Sequence, residues 1–117
     1  MGALAQGSFD AADEVRNFDK GRAELVKVEG HTIGRFTMEP GWKWSEAVKP
    51  MVGTERCELE HVGVVLSGTM RVQTEDGESD LSSGGAYRIP PGHDAWVVGD
   101  EAFVALEFQS AADYAKS

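Results

Sequence analysis

The chain of 117 residues is 41% hydrophobic and carries 11 Lys plus Arg against 20 Asp plus Glu, a formal net charge of −9. That length fits one domain rather than two, and the apolar share is well above that of a disordered chain. A surface so acidic, with no basic run to offset it, repels phosphate backbones and anionic lipid, which excludes nucleic acid and membrane as partners.

The first thirteen residues have neither a cationic start nor an apolar run, so they do not read as a signal peptide. The first dozen residues and residues 110–117 are expected to be loosely held, with room for a short helix at the C-terminal end. Residues 23–28 and 32–38 are β-prone runs joined by a turn at Glu29 and Gly30. Pro40 and Gly41 end the second run, because proline lacks the ladder donor and glycine tolerates the bend. Residues 42–54 then read as a long irregular stretch holding Pro50 and Gly53, and no helical stripe is evident anywhere. Residues 62–66 and 70–74 flank Ser67, Gly68 and Thr69, a hairpin signal; Asp76 and Gly77 give a second hairpin with an acidic, solvated tip. After a turn at 82–85, residues 86–89, 95–98 and 103–108 form the last strands, broken at Pro90-Pro91-Gly92 and at Gly99-Asp100. Short strands so evenly spaced predict an antiparallel sandwich or barrel, one domain over residues 1–117 with the barrel at roughly 15–109.

Two stretches carry a family likeness. Gly84, Pro90 and Gly92 fit a G-x5-P-x-G pattern, and residues 61–68, His-Val-Gly-Val-Val-Leu-Ser-Gly, resemble the end of an E-x6-G motif. In this order, with a hairpin between them, they resemble the two motifs of the cupin superfamily over roughly residues 33–108. The resemblance implies an all-β fold, an antiparallel double-sheet jelly-roll-like β-barrel with its working site at the mouth. Cupin enzymes commonly hold a metal with two histidines and a glutamate from the first motif and one histidine from the second. Aligned on Gly68, His61 stands at the glutamate position, with Glu55 and Cys57 at the two histidine positions. Counted forward from Gly41, those two positions fall on Ala47 and Lys49 instead. The second-motif histidine position is Ala95, with His93 two residues earlier. This set departs from the usual iron or manganese ligands.

Side chains alternate across a strand, so Glu55, Cys57, Leu59, His61, Gly63 and Val65 share one parity. An inward His61 then brings Cys57 inward, and a bend near Leu59 converges the two. His93 shares the parity of Ala95. Candidate ligand-binding residues are Cys57, His61, His93, Glu55 and Trp44, with Glu46 as a further group at the cavity edge. Candidate metal ligands are Cys57, His61 and His93, a set that favours zinc among divalent metals. Each has a plainer reading: Cys57 as a packed thiol, His61 as a hydrogen-bonded core histidine, His93 as a turn residue bonded to a carboxylate such as Asp94. Trp42 and Trp44 either rim the pocket or pack on the barrel, Trp96 has outward parity, and His31 is expected to be exposed.

The functional expectation is a domain that binds a small molecule, or senses one, with or without a metal. The alternative is a metal-dependent cupin enzyme of the oxygenase or isomerase type with a non-standard Cys/His set; a third possibility is a structural dimer without ligand. The lone cysteine, unable to form an internal disulfide, makes the cytoplasm the default compartment. Free sheet edges predict a homodimer.

Overall fold

The computed structural model describes residues 3–57 and 59–108. The expected C-terminal helix at 110–117 lies outside them. Nine strands form two antiparallel sheets. The larger contains β1 (Glu14–Phe18), β2 (Gly21–Val28), β3 (His31–Met38), β4 (His61–Ser67), β7 (Ala86–Ile89) and β9 (Phe103–Glu107), in the order β1-β2-β3-β9-β4-β7. The smaller contains β5 (Thr69–Thr74), β6 (Gly77–Ser82) and β8 (Asp94–Val98), in the order β6-β5-β8. The expected all-β double-sheet architecture is the one found.

Turn chemistry sets the register. Val28 pairs with His31 across a two-residue loop in which Glu29 and Gly30 both have positive φ, 43° and 82°. That is the type I′ turn whose twist matches the flanking strands. Alternation then buries one face of most strands, β1 and β6 excepted. Ala23 and Leu25 of β2, Phe36 and Met38 of β3, and Phe103 and Ala105 of β9 meet Met70 and Val72 of β5 and Ala95 and Val97 of β8. Burying apolar side chains between the two sheets, at about 1.5–3 kcal/mol for each large one, is the main force holding the sheets together.

Four features depart from the sequence reading. The hairpin expected at Ser67, Gly68 and Thr69 is a crossing between the sheets, since β4 pairs with β7 and β9 while β5 pairs with β6 and β8. β1 was not expected; it is an edge strand with only alternate residues half-buried, so its apolar signal is weak. The stretch expected to be irregular forms two short helices, α1 (Trp44–Ala47) and α2 (Lys49–Val52), each too short to display a 3.6-residue period. Residues 9–11 form a 3-10 turn, followed by Asp13, whose N–H donates to the Leu25 carbonyl and whose carboxylate accepts from the Lys27 N–H. The N-terminal segment is thereby tied to β2. Among the described residues, no helix is long and apolar enough to cross a membrane.

The turn after β7 positions the site. Gly92 has φ 92° and its amide donates to the Cys57 carbonyl at 2.7 Å, while a Cβ there would meet nothing within 4 Å. Backbone strain, rather than crowding, therefore sets the cost of a side chain. Gly92→Val is expected to destabilise by about 1–3 kcal/mol, read as a lower denaturant midpoint. An unchanged midpoint would contradict the turn's role.

Candidate functional site

The irregular segment before β4 and the turn after β7 form an isolated antiparallel bridge between Cys57 and His93, with the Cys57 amide donating to the His93 carbonyl at 2.9 Å. This bridge sets the two side chains together. His61 opens β4, opposite Ile89 of β7. Cys57, His61 and His93 are each only 3% exposed, and each offers a donor atom within 4.8 Å of the other two. Cys57 Sγ lies 3.4 Å from His61 Nε2, and the two imidazoles meet edge to face at 5.0 Å between centroids.

The outer nitrogen of each ring is fixed. His61 Nδ1 lies 2.7 Å from Glu107 Oε1 on β9, and the Tyr87 hydroxyl donates to Glu107 Oε2 at 2.5 Å. His93 Nδ1 lies 2.7 Å from the Pro90 carbonyl. A carboxylate and a carbonyl only accept, so both Nδ1 atoms carry the proton. Both rings thereby present Nε2 inward, as a donor to the Cys57 thiolate while protonated and as a lone pair for a metal once deprotonated. The plainer reading of His93 is corrected in its partner: Asp94 does not hold it but accepts from the Ser45 and Ala95 amides, tying α1 to β8.

Gly63 makes room for this arrangement. A Cβ there would stand 2.3 Å from the Leu106 carbonyl oxygen, 2.9 Å from the Tyr87 hydroxyl and 3.0 Å from Glu107 Cγ. The close approach of β4 and β9, and the Tyr87–Glu107 bond, need a residue without a side chain at that point.

Electrostatics fit the geometry. Burial alone would raise the Cys57 thiol, but hydrogen bonds from His61 and His93 outweigh it and bring the pKa to about 6. Burial would lower His61, but the Glu107 charge and the bond to Cys57 raise it to about 10. Without metal, the pair at neutral pH is therefore thiolate and imidazolium. The raised His61 value contributes stability below its unfolded pKa of 6.5 that is lost as pH climbs through about 10. The lowered Cys57 value contributes stability above its unfolded pKa of 9.0 that is lost as pH falls through about 6. The two slopes oppose one another between 6.5 and 9.0, so the pair's contribution is level there and declines on either side. Melting of chelator-treated protein across this range should show that plateau, and Cys57→Ser should replace it with a stability that falls as pH rises above 6.5, because the His61 slope is no longer opposed. A wild-type profile unchanged by the substitution would contradict the pairing.

The imidazoles face a cavity of about 30 Å³ between the sheets, lined by His61, His93, Glu107, Tyr87, Trp42 and Trp44 together with apolar core side chains. One water needs roughly 10–15 Å³ of such space, so the cavity holds one or two water-sized groups. Trp44 lines it, as does Ala95, whereas Trp96 lies outside with Lys43 over its ring. Cys57 touches both histidines from behind and is not a cavity wall. Glu55 does not join the site: its side chain is 90% exposed and pairs with Lys49 at 2.8 Å. The strand alternation that selected it does not hold at residues 53–56, which lie outside any strand. Glu46 lines an outer groove with Lys43 and Trp96. Glu107 and Tyr87 were missed, although Glu107 shares its parity with the buried Phe103 and Ala105.

Solved structures resemble this architecture. A cupin domain from Bordetella pertussis is 21% identical, with a TM-score of 0.51 over 76% of this chain and 91% of its own. A cupin-2 domain protein from Shewanella frigidimarina is 16% identical, with a TM-score of 0.51 over 74% of this chain and 78% of its own. The chain has the cupin fold. A cupin-superfamily sugar phosphate isomerase from Silicibacter pomeroyi is 17% identical, with a TM-score of 0.56 over 77% of this chain and 59% of its own. No protein-family model and no curated protein matches the chain. At these identities the likeness speaks for the cupin barrel alone, and function has to be read from the site.

Proposed function

We propose that this cupin barrel binds one divalent transition ion through Cys57, His61 and His93, and takes a small ligand beside it inside the barrel. One observation carries the reading: three buried donors of suitable chemistry converge within 4.8 Å, and both imidazoles are oriented by acceptors on their far nitrogens. Metal-binding histidines are habitually held in this way. Ligand bonds of about 2.0–2.3 Å at tetrahedral angles separate donor atoms by roughly 3.3–3.8 Å. The 3.4 Å contact between Cys57 and His61 already has that spacing, and a small turn of an imidazole closes the rest. One thiolate and two imidazoles match zinc best, with copper(I) and iron as competitors. Three protein ligands leave a position for a further ligand, and a bound ion would supply Lewis acidity there.

The small cavity favours binding or sensing over turnover of a sugar-sized or organic-acid substrate, as an isomerase or oxygenase would require. A second reading has one observation behind it: the Cys57 pKa of about 6 is that of a reactive thiolate. Its 3% exposure and its place behind the histidines weigh against a nucleophile. Rapid alkylation by iodoacetamide in both metal-loaded and metal-free protein would favour the thiolate; protection by metal favours the ion site.

The test is elemental analysis of protein purified without chelators. About one zinc per chain is expected, falling to background in Cys57→Ala and His93→Ala variants that retain the β-type dichroism. Equal metal content in the variants would overturn the site.

A further inference from the structure

Among the described residues, one buried side-chain nitrogen or oxygen has no hydrogen-bond partner: Trp42 Nε1. Trp42 is only 2% exposed and lines the same cavity as His61 and His93. Buried polar groups are nearly always paired, and an indole N–H can only donate. Whatever completes it must therefore be an acceptor inside the barrel.

The other polar groups of that wall have assigned work. Glu107 accepts from His61 and Tyr87, and His93 Nδ1 is bonded to Pro90. The backbone holds Trp42 at both ends. Its amide donates to the Glu39 carbonyl at 3.0 Å, its carbonyl accepts from the Val97 amide at 3.0 Å, and its ring packs on Phe18 at 6.4 Å between centroids. The donor is thus fixed before any ligand arrives, so ordering it costs little on binding.

We propose that the Trp42 N–H is the specificity donor for a small anion bound in the cavity beside the Cys57–His61–His93 ion. The inference rests on the metal reading and deepens it by naming the ligand class. The ligand is an anion of two or three heavy atoms with a lone pair for the indole. The approximately 30 Å³ of space shuts out anything much larger.

Azide is the probe, titrated into cobalt-substituted protein and followed by the visible cobalt spectrum. Wild type should bind azide but not the bulkier benzoate. Trp42→Phe keeps most of the ring bulk and removes the donor. It should bind cobalt with the same stoichiometry and azide about tenfold more weakly, the usual order for a hydrogen bond to a charged group. In the zinc form, azide should shift one of the three tryptophan indole N–H resonances. Should Trp42→Phe fail to fold, Trp44→Phe and Trp96→Phe assign that resonance by elimination. Absence of cobalt binding in wild type defeats the metal reading itself. Normal cobalt binding with equal azide affinity in Trp42→Phe, or an azide shift confined to another indole, defeats this inference alone.

Discussion

Glu107→Leu is expected to lower stability by about 3–5 kcal/mol, as removal of one partner from a buried charged pair commonly does. The carboxylate is buried and accepts from His61 Nδ1 and the Tyr87 hydroxyl together. Leucine is close in volume, so the loss arises from missing hydrogen bonds rather than from a void. Metal affinity should fall with it, by roughly 10–100-fold, because the ring that presents Nε2 loses its orienting acceptor. Denaturant melts of metal-free protein measure the first effect, and competition with a chelator measures the second. Glu107→Gln separates them. An amide oxygen still accepts from one donor, so stability should recover in part, while the loss of the charge that raises His61 should bring that histidine back toward its ordinary range. Wild-type stability and metal affinity in Glu107→Leu would mean that the Tyr87–Glu107–His61 chain does not support the site.

Trp44→Ala should cost about 3–5 kcal/mol, the usual range for emptying a buried indole site. Trp44 begins α1, is among the largest fully buried side chains, and forms a wall of the cavity. Its truncation opens space beside the imidazoles while the Cys57, His61 and His93 donors remain. Stability should therefore drop sharply in a denaturant melt, and metal content at low temperature should change little. Trp44→Phe should recover most of the stability. If Trp44→Ala melted like the parent, the core between the sheets would be misplaced. If it lost metal without losing stability, Trp44 would have to act on the site directly.

Much of the fold is legible in the sequence because turns and alternation are local signals. The loop at Glu29 and Gly30 and the hairpin at 75–76 lie where their residues suggest, whereas the turn at 67–69 carries the chain from one sheet to the other, a choice that local turn residues do not report. β1 was invisible because an edge strand needs only a half-buried face, and Glu14, Arg16 and Asn17 supply little apolar pattern. Two ideas reached the site: the parity linking Cys57 to His61, and the closeness of His93 to the second-motif position. The same parity argument failed for Glu55, since alternation has meaning only where the chain is extended and paired. Glu107 and Tyr87 were hidden for another reason. They meet His61 through the pairing of β4 with β7 and β9, at sequence separations no local pattern reports. The one available signal was a glutamate on the buried face of an otherwise apolar strand. A charge at such a place is rarely there without a partner.

X-ray absorption at the zinc edge tests the metal centre most directly. One sulfur at about 2.3 Å and two imidazole nitrogens at about 2.0–2.1 Å are expected, with the sulfur contribution gone in Cys57→Ser. A zinc shell made only of oxygen and nitrogen, unchanged by that substitution, would contradict a Cys57–His61–His93 site.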